Sequence, residues 1–103
     1  MIKIVNGKTY NTNTATLLGE FRHGGANDFE GIVETLYRTP KGALFIAGEG
    51  GPQTEYRVIT GPNEWSWGSR VTPLSTEAAI EWCERHGKTP VLLEHFSDQI
   101  EEA

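Results

Sequence analysis

The chain divides into a first part rich in turn signals and a last quarter with helical periodicity. Asn6-Gly7 separates residues 2–5 from residues 8–12 and is the strongest short hairpin signal, because both residues of such a turn adopt positive φ. Several strands followed by helices predict an α+β fold, with a small antiparallel sheet of about four to six strands and helices packed on one face.

Other strand-forming runs extend this pattern. Residues 34–39 and 43–48 are rich in strand-forming side chains and flank Pro40-Lys41-Gly42, which predicts a second hairpin. Residues 15–22 fit either a third strand or a short helix, and their glycine and threonines favour the strand. Residues 54–59 are predicted to form another strand.

The clearest single element is a helix over residues 76–86. Ser75 can accept a hydrogen bond from the first turn, and Gly87 suits the left-handed residue that follows a helix. The apolar residues cover one broad side of this helix: Ala78, Ala79, Ile80, Trp82 and Cys83. Thr89-Pro90 then predicts the N-cap and first residue of a short final helix, which can break near Ser97.

Glu77, Glu81 and Glu84 fall within about 60° of one another on the opposite side of the main helix. Residues 1–76 hold seven acids and seven bases, whereas residues 77–103 hold seven acids and two bases, so the net charge of −5 comes from the last quarter. An acidic chain argues against direct nucleic-acid binding, which needs a cationic surface. The acidic face is interpreted either as a solvated surface or as a docking site for a partner protein with a basic surface.

The segment Gly48-Glu49-Gly50-Gly51-Pro52 is expected to interrupt regular structure and is a candidate for binding a small ligand or nucleotide, because glycine amides can approach a phosphate closely. It lacks the Gly-Lys-Ser/Thr end of a phosphate-binding loop, and Glu49 would repel a phosphate. The alternative is a bulge and turn in which only glycine fits the backbone dihedrals.

Trp65 and Trp67 alternate in a segment bounded by turn signals, so both side chains point to the same side if the segment is extended. They are candidate apolar anchors for a protein interface, and the alternative is that they cap the core of the sheet. Cys83, His86 and His95 do not supply the closely spaced ligands of a zinc site. No catalytic, metal or cofactor site is predicted, and the chain is not expected to be an enzyme.

Length and composition set the class of protein. The 103 residues suit one α+β domain with one modest core. No apolar run is long enough to cross a membrane, and a single cysteine fits a reducing compartment. We therefore expect a cytoplasmic protein that makes no contact with a membrane.

Five sequence blocks between about residues 8 and 86 occur in a specific order. They are Tyr10-x-Thr12-x-Thr14-Ala15, Glu34-x-Leu36-Tyr37-Arg38-Thr39-x-x-Gly42, Phe45-x-x-Gly48-Glu49-Gly50-Gly51, Tyr56, and Pro73-Leu74-Ser75-x-x-x-Ala79-x-x-Trp82. In these blocks the chain resembles a family of small hypothetical proteins from bacteria, their phages, prophages and conjugative elements. Trp67-Gly68-Ser69 departs from the double glycine expected at that place. The family has no assigned activity, so the resemblance implies no catalytic residue.

The leading functional hypothesis is a non-enzymatic protein-binding module of a mobile genetic element. Small acidic proteins of such elements often resemble anti-defence inhibitors, including anti-CRISPR proteins, which suggests docking on a basic host nuclease or CRISPR complex. Glu77, Glu81 and Glu84 would face the basic partner, with Trp65 and Trp67 as apolar anchors. The alternatives are a small-ligand or nucleotide-binding protein that uses residues 48–51, and a self-associating structural protein.

Overall fold

A four-stranded antiparallel sheet and two helices on one of its faces form the body of the molecule, which a computed structural model describes over residues 1–25 and 28–103. The α+β prediction is therefore confirmed. The sheet has the strand order β3-β4-β5-β8, and two separate hairpins, β1–β2 and β6–β7, accompany it. The elements are β1 (Ile2–Val5), β2 (Lys8–Asn11), β3 (Thr16–His23), β4 (Ile32–Arg38), β5 (Leu44–Gly50), β6 (Val58–Gly61), β7 (Glu64–Ser66), β8 (Gly68–Leu74), α1 (Thr76–Arg85), α2 (Thr89–His95) and a 3-10 turn (Ser97–Gln99).

The three strands expected in residues 2–22 are all present, as β1, β2 and β3. Asn6 and Gly7 have φ values of 52° and 75° and join β1 to β2, as the hairpin prediction requires. The segment predicted as strand or helix is a strand, β3, which pairs with β4 and bulges between Leu17 and Gly19. The bulge leaves Leu18 unpaired in the ladder and buries its side chain in the core.

Alternation along the strands builds a core on both faces of the sheet. On the helix face, Leu36 and Ile46 pack with Trp82 and Cys83 of α1. On the opposite face, Phe45 is fully buried and contacts neighbouring aromatic rings. Those rings are Tyr10, whose centroid lies 5.3 Å from that of Phe45, and Tyr37, at 5.2 Å. The central strand β5 thus contributes apolar side chains to both layers.

The main helix has the predicted ends. The Ser75 side chain accepts a hydrogen bond from the Ala78 amide at 3.1 Å, and Gly87 has a φ of 66°. The assignment of Thr89 as the next N-cap is wrong, because the Lys88 amide still donates to the Cys83 carbonyl at 2.8 Å and Lys88 itself caps α2. The final helix breaks after His95, as the sequence suggested.

Two predictions on residues 48–59 are only partly correct, since Gly51-Pro52 are irregular and Val58-Ile59 belong to a strand as expected. Residues 48–50 do not interrupt regular structure, since β5 continues through Gly50 between β4 and β8. Residues 54–57 are a turn and not a strand, because the Thr54 amide donates to the Gly51 carbonyl and the Thr54 hydroxyl accepts from the Tyr56 amide at 3.2 Å. This turn directs the Tyr56 ring back onto the sheet.

Neither helix in the described part of the chain has the length and apolar character needed to cross a lipid bilayer.

Candidate functional site

The side chain of Glu34 lies at the centre of a polar network on the helix face of the sheet. Glu34 in β4 is paired with Gly48 in β5, and the Tyr56 ring covers Gly48. The Tyr56 hydroxyl donates a hydrogen bond to Glu34 Oε2 at 2.5 Å. A Cβ atom at position 48 would lie under 3.0 Å from the Tyr56 ring. The absence of a side chain at Gly48 therefore lets the phenol reach the carboxylate.

The helix supplies the other partners of this carboxylate. Trp82 Nε1 donates to Glu34 Oε1 at 3.1 Å, and His86 Nε2 lies 3.7 Å from the same oxygen. The His86 ring stacks on Phe21 of β3 with the ring centroids 3.8 Å apart. His86 Nε2 is buried and has no hydrogen-bond partner within residues 1–25 and 28–103. Glu34 thus ties β4 to the turn after β5 and to α1.

Burial shifts the protonation equilibria of three groups around this network. Burial and then the hydrogen bond to Glu34 raise the pKa of Tyr56 far above that of an ordinary tyrosine, so the phenol stays a donor. Burial and then the positive charge of Arg85 lower the pKa of His86, although the charge of Glu34 opposes this shift. Burial also raises the pKa of the Cys83 thiol, which therefore behaves as a small apolar side chain.

The folded protein is expected to lose stability as the pH falls below about 6.5, because the unfolded chain then binds a proton on His86 that the folded chain excludes. The charged groups facing His86 are Glu34 on β4, and Arg85 and Lys88 on its own segment. The stability contributed by the neutral ring is present above that pH and is lost as the pH falls towards the lower pKa of the folded state. One proton limits the slope to about 1.4 kcal/mol per pH unit.

Urea unfolding followed by circular dichroism from about pH 7.5 to about pH 5 measures this slope. The variant His86→Phe keeps an aromatic ring against Phe21 and should flatten the dependence. His23→Gln, at an exposed strand end, is the matched control and should retain it. An unchanged slope in His86→Phe would contradict the assignment.

A cleft of about 250 Å³ opens between α1 and β8 above this network. Among its charged groups, Arg70, Glu55 and Glu34 are engaged with other side chains. The Arg70 guanidinium lies 4.9 Å from the centre of the Tyr56 ring and 2.9 Å from Glu55 Oε2. No group of three potential metal ligands occurs within the described residues. The lining of the cleft therefore contains side chains that stabilise one another, and its phenol and carboxylate, Tyr56 and Glu34, are hydrogen-bonded to each other.

The predicted acidic face is present on α1. Glu77, Glu81 and Glu84 are all exposed, while Ala79 and Trp82 on the other side are buried against the sheet. None of the three carboxylates lies within 4 Å of a cationic nitrogen in the described parts of the chain. Glu81 also lines the mouth of the cleft. The sequence therefore identified this surface correctly from helical geometry.

The two tryptophans occupy different environments. Trp65 in β7 is exposed and lines a groove beside Phe29. Trp67, between β7 and β8, is half-buried and reaches the backbone of Gly31. The structure does not bring either tryptophan into the cleft that Glu81 lines. Their role as anchors beside the acidic face stays a prediction.

The space beside the glycines of residues 48–51 is occupied by other residues of the chain. A side chain at Gly48 would meet Tyr56, one at Gly50 would meet Thr54, and one at Gly51 would meet the Phe29 carbonyl. The Gly51 amide donates to the Gly31 carbonyl at 2.9 Å. Glu49 is exposed, and its neighbours in β5 are paired with strands on both sides. This geometry offers an anion no free approach to the amides, so it does not favour the ligand-binding alternative.

Sequence reasoning missed the contacts of Glu34, Tyr56 and His86. One local signal was present, because Glu34 lies two residues before Leu36 and therefore on the core-facing side of its strand. A carboxylate at such a position needs hydrogen-bond donors. The identity of those donors depends on contacts between distant parts of the chain.

Comparisons of the chain with protein-family models, with characterised proteins and with solved structures found no match. The family resemblance described above stays a prediction.

Proposed function

We propose that this chain is a non-enzymatic protein-binding module that docks the acidic face of α1 on a basic surface of a partner protein. The observation that supports this most directly is that Glu77, Glu81 and Glu84 are exposed and that no cationic nitrogen in the described residues lies within 4 Å of their carboxylates. Glu77 and Glu81 are four residues apart, where like charges destabilise a helix. A partner that neutralises them would remove this repulsion on binding.

The remaining polar groups favour binding over catalysis. Glu34, Tyr56 and Trp82 satisfy each other's hydrogen bonds, and Arg70 is engaged with Glu55 and Tyr56. A catalytic site needs a base or nucleophile that is free to reach a substrate. The acidic face, in contrast, is open to solvent along the helix.

A basic surface of the required kind occurs on proteins that bind nucleic-acid phosphates. The resemblance to proteins of phages and conjugative elements suggests a host nuclease or CRISPR complex as the partner. In this proposal the chain is an anti-defence inhibitor that occupies the partner's cationic groove. Its charge would accelerate association and make the affinity depend on salt.

The experiment compares the wild type with the triple variant Glu77→Lys, Glu81→Lys, Glu84→Lys in capture from a bacterial lysate. Retained proteins are identified, purified and titrated with each variant at low and at high salt. Raising the salt from about 0.1 M to about 1 M shortens the Debye screening length from about 10 Å to about 3 Å. We expect a basic protein that binds the wild type, releases at high salt and fails to bind the triple variant.

Two single variants provide a matched comparison, in which Glu81→Lys is the test and Glu49→Lys is the control. Each changes the net charge by the same amount, but Glu49 is on β5 and outside the helix. Glu81→Lys should weaken binding and Glu49→Lys should not. A specific partner that binds the triple variant as tightly as the wild type, or no partner under any condition, would refute docking through α1.

A further inference from the structure

A pocket of about 700 Å³, here called the lysine pocket, lies between β2 and the turn that joins β4 to β5. Strand β2 contributes Lys8 and Tyr10 to its lining, and the turn contributes Pro40 and Lys41. Lys8 and Tyr10 are two residues apart in a strand, so their side chains point to the same face of the β1–β2 hairpin. A volume of this size accommodates a small-molecule ligand.

The two segments that form the lysine pocket are held in place by the fold. Tyr10 is buried, and its ring packs edge-on against Phe45 of β5 with the centroids 5.3 Å apart. In the turn, the Thr39 hydroxyl accepts a hydrogen bond from the Ala43 amide at 3.0 Å, and Gly42 adopts a φ of 91°. Because both segments are ordered in advance, a ligand would lose little free energy in organising them.

The lysine pocket is positively charged, although the chain as a whole carries a net charge of −5. Lys8 and Lys41 are both exposed, and no acidic residue of the described parts of the chain lines the pocket with them. Neither lysine has a carboxylate oxygen within 4 Å in those parts. Residues 1–19 and 35–48, which supply the lining, contain no acidic side chain. Both ammonium groups can therefore contact an anion.

The type of cation favours phosphate as the anion. Both charges belong to lysines, which bind phosphate oxygens as compact point charges, whereas planar carboxylates are matched best by the forked guanidinium of arginine. Asn11 also lines the pocket, and its Oδ1 atom already accepts from the Asn13 amide at 2.9 Å. Its side-chain NH₂ group is a further donor for an oxygen atom of the ligand.

We propose that the lysine pocket binds a small organic phosphate, with Lys8 and Lys41 at the phosphate oxygens and Pro40 and Ala43 against the organic part. The site lies away from the glycines of residues 48–51, whose amides an anion cannot approach. It goes beyond the proposed function, because it uses neither α1 nor its glutamates.

A free small molecule fits the lysine pocket better than a nucleic acid does. A nucleic-acid strand presents a row of phosphates and needs an extended cationic surface. Two lysines can neutralise only one or two phosphate charges, and the excess charge of the chain is negative. The ligand is therefore expected to carry one phosphorylated end.

Titrations followed by ¹H–¹⁵N NMR test the proposal with inorganic phosphate, AMP, glucose 6-phosphate and a single-stranded oligonucleotide. The backbone amides of Lys8, Asn11 and Lys41 should shift and saturate, with a Kd of about 1 mM or lower for at least one organic phosphate. That organic phosphate should bind more tightly than inorganic phosphate does. Adenosine and glucose, which lack the phosphate, should cause no such shifts, and high salt should weaken binding.

Lys8→Gln and Lys41→Gln should each raise the Kd about tenfold, because each removes a charge-assisted contact with the phosphate. Lys3→Gln is the matched control, since Lys3 is an exposed lysine of the same hairpin that does not line the pocket. It changes the net charge equally and should alter the Kd by about twofold or less, because water and salt screen a more distant charge. The NMR spectrum of each variant verifies that it is folded.

The absence of saturable shifts with both organic phosphates would overturn the proposal. Equal affinity for inorganic phosphate and for both organic phosphates would do the same, as would tighter binding of the oligonucleotide. A Kd that neither pocket variant changes, or that Lys3→Gln raises as much, would show that the lysines do not form the site. The α1 glutamates are unchanged throughout, so these outcomes are independent of partner capture by the acidic face.

Discussion

Replacing Trp82 with alanine is expected to lower the free energy of unfolding by about 3–5 kcal/mol, the usual loss when a large buried aromatic side chain is truncated. Trp82 is 2% exposed and packs between α1 and the sheet with Leu36 and Ile46. It also donates the hydrogen bond that holds Glu34 Oε1. For a domain with a total stability of about 5–15 kcal/mol, this loss approaches the limit of folding.

Urea unfolding followed by circular dichroism measures the effect, and Trp82→Phe separates its two causes. Phenylalanine retains an aromatic ring but removes the donor to Glu34, which should cost about 1–3 kcal/mol. Trp65→Ala is the control, because an exposed tryptophan should change stability by about 0.5 kcal/mol or less. A loss similar to this control in Trp82→Ala would contradict the central role of the contact between α1 and Glu34.

Replacing Gly48 with alanine is expected to lower the free energy of unfolding by about 2–4 kcal/mol. A methyl group at this position overlaps the Tyr56 ring, and overpacking of this kind costs about 1–3 kcal/mol. The displaced phenol also loses its hydrogen bond to Glu34, which adds about 1 kcal/mol. Because Gly48 is in the middle of the sheet, its backbone cannot move away without breaking the pairing of β5.

A double-mutant cycle with Tyr56→Ala identifies the source of this loss. Without the ring, the added methyl meets less obstruction, so Gly48→Ala should cost about 1 kcal/mol or less in that background. Gly25→Ala is the control in the wild type, because a Cβ there would meet no atom within 4 Å among the described residues other than its chain neighbours. Equal losses in the presence and absence of the Tyr56 ring would show that the overlap is not the cause.

The parts of the fold that follow from neighbouring residues could be predicted. Asn6-Gly7 specifies a turn by its backbone preferences alone, and Ser75 caps α1 through an amide only three residues away. The acidic face of α1 follows from the 3.6-residue period without any knowledge of the sheet. These features need no information from distant residues, which is why the sequence was sufficient for them.

The segment after β5 could not be predicted in the same way. The glycines at 48, 50 and 51 suggested a break in structure, whereas two of them belong to the strand and accommodate Tyr56 and Thr54. In a loop, glycine is needed for its freedom of φ, whereas within a strand it is needed because it has no side chain. Only the position of the covering side chains distinguishes these cases.

The network around Glu34 joins residues that are far apart in the sequence. Tyr56 is 22 residues from Glu34 along the chain, and Trp82 is 48 residues away. Helical periodicity placed Trp82 on the buried side of α1, but it did not identify the strand position that Trp82 Nε1 contacts. Likewise, the pairing of Ile59 with Trp65 required the register of β6 and β7, which a bulge at the turn shifts.

The chain leaves the sheet after Gly50 and returns at Gly68, and these two glycines are directly opposite each other in the register of β5 and β8. The sheet therefore closes in the same way whatever the length of the chain between them, and the entropy of closing a longer loop grows only slowly. Tyr56 anchors the beginning of this excursion through its hydrogen bond to Glu34, and the separate β6–β7 hairpin, from Val58 to Ser66, forms its tip. During evolution, insertions, deletions and new side chains can accumulate at this tip without redesign of the scaffold, so related lineages can diverge in what this end of the molecule contacts.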